Sequence, residues 1–538
     1  MGFYLNSSVP YDNYRAVMEG DFFVDKSLLL EELIPALRQE QRFICITRPR
    51  RFGKTVMTNM IGAFFGRVKD ECDIFEKLEI AGSKYYRKHR NGHDVIYIDF
   101  SEMPEKCESY DQYISRIIEL LKEDLREAYP ELLASTDKAV WDMLTLLFEK
   151  TGQRFIFVFD EWDALFHMPF ITEEDKRDFF LFLKVLLKGR SYVELAYMTG
   201  ILPVAKYSDG SELNMFQEYN MATKIRFGRY FGFSDAEVDM LYKKYSEQTI
   251  EPQFTRDDLR EWYDGYRTAA GYRLYNPRSV VCALTDNQLS SYWTSSGTYD
   301  SVFSYLKDHA EEMQEDLALL FAGEGIETEI QEYAAAAQGL GTKAEIYSAM
   351  VVYGLLTYEK GAVYIPNKEL MDSYAAMMKK ERSLGYVYRL ACISEKMLQA
   401  TLAGDVKTMA EILQYAHNTE SPILSYNHEV ELSALVNLVY LSARDKYRVE
   451  REDKAGRGFV DFIFYPLSGG RAGIILELKV DDTPQAAIDQ IKKKEYVLKF
   501  RGRLAEKKVF AGRVLAVGIG YDKNTKEHSC QIEMLEES

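Results

Sequence analysis

The sequence predicts an α/β chain with two chemically distinct ends, on three observations. An apolar run, Phe43–Thr47, breaks into Gly53-Lys54-Thr55. A second, Phe155 to Phe159, runs straight into Asp160-Glu161. Far downstream, Asp461 stands sixteen residues ahead of the tripeptide Glu477-Leu478-Lys479.

The first observation has the form of a phosphate-binding loop. Such a loop needs a strand that ends abruptly, a turn with free backbone N–H groups, and a helix whose N-terminus faces the anion. Phe43–Thr47 suits the buried strand, Arg48 to Phe52 the turn, and Lys54 opens the helical stretch 55–65, with Arg50, Arg51, Phe52 and Gly53 as candidate nucleotide-binding residues. Lys54 is then the residue for the β and γ phosphates, and the Thr55 hydroxyl a ligand for Mg2+. The pattern G-x-x-x-x-G-K-[ST] would place its first glycine where Arg48 stands, so only Gly53 remains of the two.

The second observation supplies the other half of the site. Two consecutive carboxylates at the end of a wholly apolar strand are costly unless they face a cation or solvent. Asp160 fits a Mg2+ ligand and Glu161 the group that polarises the attacking water. Against this stands a plainer reading, in which Asp160 caps the following helix and Glu161 is a solvated first-turn acid. Between the two motifs, 95–100 reads as another buried strand, and 110–127 and 136–150 as helices. Beyond them, 173–188 is amphipathic and 193–198 is a strand ending at Thr199-Gly200. Thr199 is a candidate γ-phosphate sensor, with turn chemistry as the alternative. Arg50, Arg51, Lys206, Arg226 and Arg229 are all available as a source of transition-state charge, and the pattern does not choose among them.

The third observation suits a metal-dependent phosphodiesterase, which needs acidic ligands and a base converging on a phosphate. Alternation along a strand puts Glu477 and Lys479 on one face and Ile474, Leu476 and Leu478 on the other. A hairpin from 459–465 to Gly473–Val480 sets Asp461 beside Glu477. Without a ligand, Glu477 and Lys479 form only a surface pair worth about 0–1 kcal/mol. The arrangement resembles the PD-(D/E)XK nuclease superfamily over about 425–525. That resemblance implies a mixed sheet flanked by helices, and it adds Glu429 as the helical glutamate and Gln490 as the glutamine of the following helix. Val460 stands where the superfamily's proline would be.

The N-terminal part resembles the AAA-ATPase-like family of bacterial proteins, in which such a nuclease-like domain commonly follows. The matching residues are Phe23-Val24-Asp25-Lys26-Ser27, Arg48 to Thr55, Thr199 to Pro203, Trp262-Tyr263-Asp264-Gly265-Tyr266, Tyr275-Asn276-Pro277 and Ile365-Pro366-Asn367-Lys368-Glu369. That family usually lacks the first glycine of the loop, which accounts for Arg48. The resemblance implies ATP and Mg2+ as cofactors and supplies parts rather than a pathway; nucleic acid (DNA before RNA) is the expected partner, a homo-oligomer is left open, and a role in defence or DNA processing belongs to the nuclease reading.

The expected organisation is a P-loop ATPase core over 1–225, a helical lid over 226–300, a helical linker domain with a β-hairpin over 301–385, and a PD-(D/E)XK nuclease-like domain over 386–538. Absence of a long apolar run, and an N-terminus without a basic-then-apolar pattern, point to a cytoplasmic protein. Six scattered cysteines without a C-x-x-C pair read as reduced core residues, and seven histidines form no zinc pattern. A net charge of -17 excludes general coating of nucleic acid. Basic residues nevertheless collect around the second site, with Lys492, Lys493 and Lys494 just after Gln490; a solvated helix face is the alternative for that run. Two functions follow from these features. One is an ATPase whose nucleotide state controls a Mg2+-dependent nuclease. The other is a nucleotide-dependent switch or scaffold with a non-catalytic nuclease-like binding domain.

Overall fold

A computed structural model describes residues 2–67, 73–133, 138–204, 213–293, 310–321, 323–330, 342–418, 429–455, 458–467, 471–497, 500 and 512–535. The chain divides into two compact units, each discontinuous in sequence. The first comprises Met1–Ser296 with Thr328–Glu369, the second Gly297–Glu327 with Leu370–Ser538. The sequence had suggested four segments. The hairpin of Thr357–Glu359 and Ala362–Tyr364, expected in a separate linker domain, groups with the first unit, where Thr357 Oγ1 accepts from the Arg267 N–H at 2.8 Å.

The first unit is built on a parallel five-stranded sheet. In chain order its strands are β1 (Phe43–Thr47), β2 (Asp94–Asp99), β3 (Phe155–Asp160), β4 (Val193–Gly200) and β5 (Gln217–Tyr219). In space the order is β2-β3-β4-β1-β5. Strands β1 and β4 are buried along their whole length, as near-continuous apolar runs in a parallel sheet require. Their pairing sets Thr47 opposite Gly200, and Asp99 of β2 lies opposite Asp160 of β3. The sheet's C-terminal edge thus collects the residues at issue.

Helices cover the sheet. The Lys54–Phe65 helix leaves β1 through Gly53, whose φ of 86° is in the left-handed region that glycine enters without strain. The Glu173–Leu187 helix opens with a capping box between Thr172 and Asp175. Three further helices, Asp235–Gln248, Arg256–Tyr263 and Pro277–Asp286, lie in the stretch read as a lid and pack around Val238, Leu259, Tyr263 and Val280, with Phe22 and Val24 against them. Asp235 ties this cluster, pairing with Arg256 at 2.6 Å and Arg260 at 2.9 Å.

The second unit holds a mixed five-stranded sheet in the chain order Tyr447–Ala455, Gly458–Pro466, Gly473–Val480, Val514–Asp522, Glu527–Leu535, which is also the order in space. All neighbours are antiparallel except Gly473–Val480 and Val514–Asp522, which run parallel. The Pro484–Lys493 helix falls between these two in sequence, as a parallel pair needs a crossover. Helices Gly385–Ala403, Val406–Asn418 and Glu429–Val439 precede the sheet. Among the described residues no helix is long and apolar enough to cross a membrane, and the five described cysteines are free.

Candidate functional sites

At the end of β1 the loop turns sharply. Arg51 takes a left-handed φ of 67° and Gly53 one of 86°. Lys54, only 5 % exposed, folds its ammonium back over the loop, donating to the carbonyls of Arg48 at 3.0 Å and Pro49 at 3.1 Å. Burial lowers its pKa below the usual lysine value, while Asp163, Glu161 and Asp160 pull it upward. Among the described residues nothing accepts the amide N–H of Arg51, Phe52 or Gly53. A turn with its carbonyls engaged and its N–H groups open is suited to an anion.

Arg48, at the position of a P-loop's first glycine, is a structural residue. Its buried guanidinium donates to the Thr47 and Tyr219 carbonyls, both at 2.7 Å, and lies 4.9 Å from the Phe231 ring centroid. It fastens β1 to β5.

The acidic half faces this loop. Asp160 is wholly buried. Its Oδ1 accepts from the Thr199 hydroxyl at 2.5 Å and the Glu161 N–H at 3.1 Å, whereas Oδ2 is buried with no hydrogen-bond partner among the described residues. An ionised oxygen in that position is costly unless a cation meets it. Glu161 sits at φ 45°, and burial raises its pKa despite Lys54 nearby. Burial and the charge of Asp160 push Asp99 up to about 6. A cavity of about 170 Å³ adjoins these groups, lined by Arg50, Lys54, Ser101, Glu161, Asp163 and His167. The exposed Thr55 opens the helix beside Lys54. The donor set therefore fits a phosphate with a divalent cation: Lys54 and the loop amides for the anion, Thr55 and the orphaned Asp160 Oδ2 for the metal. Among the described residues there is no group of three or more His, Cys, Asp or Glu that could hold a metal ion.

Sequence reasoning missed Asp163, Trp293, Tyr266 and Glu369. Asp163 Oδ2 receives the N–H groups of Ile201 at 3.0 Å and Leu202 at 2.7 Å, fixing the turn after Thr199. Trp293 Nε1 donates to the Arg50 carbonyl at 3.0 Å, and Tyr266 packs edge-on to Phe52 with centroids 4.8 Å apart. Tyr266 and Glu369 belong to motifs quoted above only for resemblance, so their packing role had a visible marker but no visible partner. Of the cations weighed for transition-state charge, Arg226 donates to the Glu32 carbonyl at 3.1 Å and Arg229 pairs with the Glu32 carboxylate at 2.9 Å. Lys206 lies outside the described residues. Arg50 lines the cavity.

In the second unit, Phe462 pairs with Leu476, and one step further along the strands Asp461 Oδ2 accepts the Leu478 N–H at 2.7 Å. Glu477, 3 % exposed, receives Lys479 Nζ at 3.4 Å and the Gln490 amide on the same oxygen, Oε1. Its Oε2 is buried with no hydrogen-bond partner among the described residues. Burial, reinforced by Asp461, raises the Glu477 pKa to about 7. Asp461, Glu477, Lys479 and Gln490 thus come together. Glu429 opens its helix, but its side chain lies outside the described set. Lys492 pairs with Glu533 on the neighbouring strand Glu527–Leu535, and Lys493 is exposed.

Comparison with known proteins bears on the first unit. Residues 10–208 match the AAA-ATPase-like family, described as predicted AAA-ATPase. This stretch holds the loop, Asp160, Glu161 and Thr199, and the match supports ATP binding by an AAA-like ATPase domain here. No curated protein matches the chain. Among solved structures, the chain is similar to a Walker-type ATPase of Pyrococcus abyssi, with 12 % identity, TM-score 0.38, and 65 % of this chain and 94 % of that one covered. It is also similar to the Aeropyrum pernix ORC2 protein in ADPNP–ADP complexes, with 11 % identity, TM-score 0.29, and 68 % and 94 % covered. Likenesses this distant carry no argument; the α/β nucleotide-binding core rests on the family match and the sheet.

Proposed function

We propose that the chain is an ATP-hydrolysing protein whose nucleotide state controls a Mg2+-dependent PD-(D/E)XK nuclease acting on nucleic acid, DNA before RNA. One observation carries this reading: each of the two sites contains a buried carboxylate oxygen with no hydrogen-bond partner among the described residues, Asp160 Oδ2 and Glu477 Oε2. Two such costs in one chain are offset if each oxygen meets a cation.

In the first unit, Lys54 and the amides of 51–53 hold the phosphates, and Thr55 and Asp160 hold the metal. A Mg2+ held there would supply charge neutralisation at the phosphate oxygens. Glu161 accepts the proton of the attacking water as its oxygen bonds to the γ-phosphorus and the bond to the leaving oxygen breaks, releasing ADP and phosphate. Thr199 holds Asp160 in one orientation. In the second unit, Asp461 and Glu477 would hold the metal, which when bound would lower the pKa of a water and neutralise charge on the phosphate. Lys479 balances charge on the scissile phosphate. Gln490 fixes the Glu477 carboxylate through Oε1, directing Oε2 elsewhere. A homo-oligomer, completing the ATPase site from a neighbouring copy, belongs to the same proposal.

A second reading has its own support. Lys479 and Gln490 both donate to Glu477, satisfying half of that carboxylate without metal, as a non-catalytic nucleic-acid-binding fold under a nucleotide switch would need. Plasmid and labelled-oligonucleotide cleavage in Mg2+ or Mn2+, with and without ATP, separates the two. Cutting lost in Asp461→Ala and altered in Lys54→Ala supports the controlled nuclease. No cutting, with ATP turnover intact, supports the switch.

A further inference from the structure

The phosphate loop is held from outside its own sheet. Trp293 Nε1 donates to the Arg50 carbonyl at 3.0 Å, and the Trp293 backbone N–H donates to Glu369 Oε1 at 2.5 Å. Glu369 Oε2 accepts from the Ser279 hydroxyl of the lid helix Pro277–Asp286 at 2.9 Å. All four residues lie in the first unit. Two of them mark where the chain leaves it: Trp293 stands shortly before the crossing after Ser296, and Glu369 is the last residue before the crossing at Leu370.

We propose that Trp293 and Glu369 are positioning residues for the phosphate loop, tying Arg50 to both points where the chain passes out of the ATPase unit. The proposal rests on the ATPase reading above. Three consecutive loop carbonyls are engaged, those of Arg48 and Pro49 by the Lys54 ammonium and that of Arg50 by the indole. Because a peptide unit is planar, fixing the Arg50 carbonyl also fixes the Arg51 N–H on its opposite side. The next dihedral is the left-handed φ of Arg51, a conformation that persists in a non-glycine residue only when its surroundings over-determine it. The indole supplies that restraint. Glu369 in turn holds the Trp293 backbone and the lid helix together, so a shift of the loop is passed to Trp293 and to the start of the Lys368–Met378 helix.

Limited trypsin digestion and steady-state ATP hydrolysis test this on the full chain, using wild type, Trp293→Phe, Glu369→Ala and Glu369→Gln. In nucleotide-free protein, Trp293→Phe and Glu369→Ala should speed cleavage after Arg50 and Arg51 by about tenfold or more, since a protease cuts only where the loop opens locally. In turnover, they should raise KM for ATP by about tenfold with kcat changed less than twofold. Glu369→Gln keeps an oxygen acceptor for the Trp293 N–H and should restore both quantities to near wild type. Folded Trp293→Phe protein with wild-type loop cleavage and wild-type KM overturns the proposal, and Phe keeps the ring's bulk if Glu369→Ala fails to fold. Absence of ATP turnover in wild type would count against the ATPase reading alone, since the nucleotide-free cleavage comparison still decides the tether.

Discussion

Thr199 Oγ1 donates to Asp160 Oδ1 at 2.5 Å, across the pairing of β4 with β3. The bond leaves Asp160 one saturated oxygen and one open one, aimed by a residue whose own strand lies between the loop strand and the acid strand.

Thr199→Val should therefore leave nucleotide binding within about twofold and reduce turnover by about tenfold or more, the cost of losing one hydrogen bond to a charged group. Thr199→Ser should recover most of it. Comparing Kd with kcat for the two variants decides whether the hydroxyl orients Asp160 or serves only the turn.

Lys54→Ala should weaken nucleotide binding by about a hundredfold, since it removes a buried cation from the proposed anion site. Calorimetric titration with ATP and Mg2+ measures this. The same variant relieves the Arg48 and Pro49 carbonyls of their ammonium, so thermal unfolding without ligand should show whether the lysine also stabilises the empty loop.

Glu477, with its pKa near 7, makes cation binding in the second unit pH-dependent. A proton on the carboxyl competes with the metal, so Mn2+ affinity should fall by about tenfold per pH unit below 7 and level off above it. The sign for stability is opposite. The folded-state value is raised above the ordinary glutamate value of 4.5, so the stabilising contribution is complete below 4.5 and is lost as pH rises toward 7. Glu477→Gln should flatten both profiles, measured by Mn2+ titration and by urea unfolding of the metal-free protein between pH 4.5 and 8.

Gly200→Ala would put a Cβ 2.4 Å from Trp162 Nε1 and 2.7 Å from Asp163 Oδ1, both held in the site. The expected cost is about 1–3 kcal/mol, typical of overpacking. Gly82→Ala, with nothing within 4 Å, should stay within about 0.5 kcal/mol, and chemical denaturation of the pair tests the difference.

These residues also show what a sequence can carry. Asp160 and Glu477 were legible because each ends or interrupts a buried apolar strand, where a charge needs an explanation, and Lys54 because it opens a helix directly after a glycine turn. Arg48 was legible only as a missing glycine, since its role depends on the Tyr219 carbonyl and the Phe231 ring, elements far along the chain. Asp163 gave no signal, because an acid in a turn is ordinary until the two amides it receives are seen. Trp293 and Glu369 stand in stretches with no charge-in-core anomaly, and their purpose emerges only when the lid and the loop are brought together. Domain limits were least readable, since nothing in local composition marks a chain that leaves a unit and later returns to it.

That return has a practical and an evolutionary edge. Because each unit is assembled from separated stretches, no single cut yields both intact. Truncation at 296 deprives the first unit of its hairpin and of Glu369, and truncation at 369 leaves 297–327 stranded on the wrong fragment. Isolating the ATPase would require excising an internal segment and bridging the gap, and end-to-end joining of two finished domains would not by itself produce this arrangement. The natural unit of inheritance is the interleaved pair.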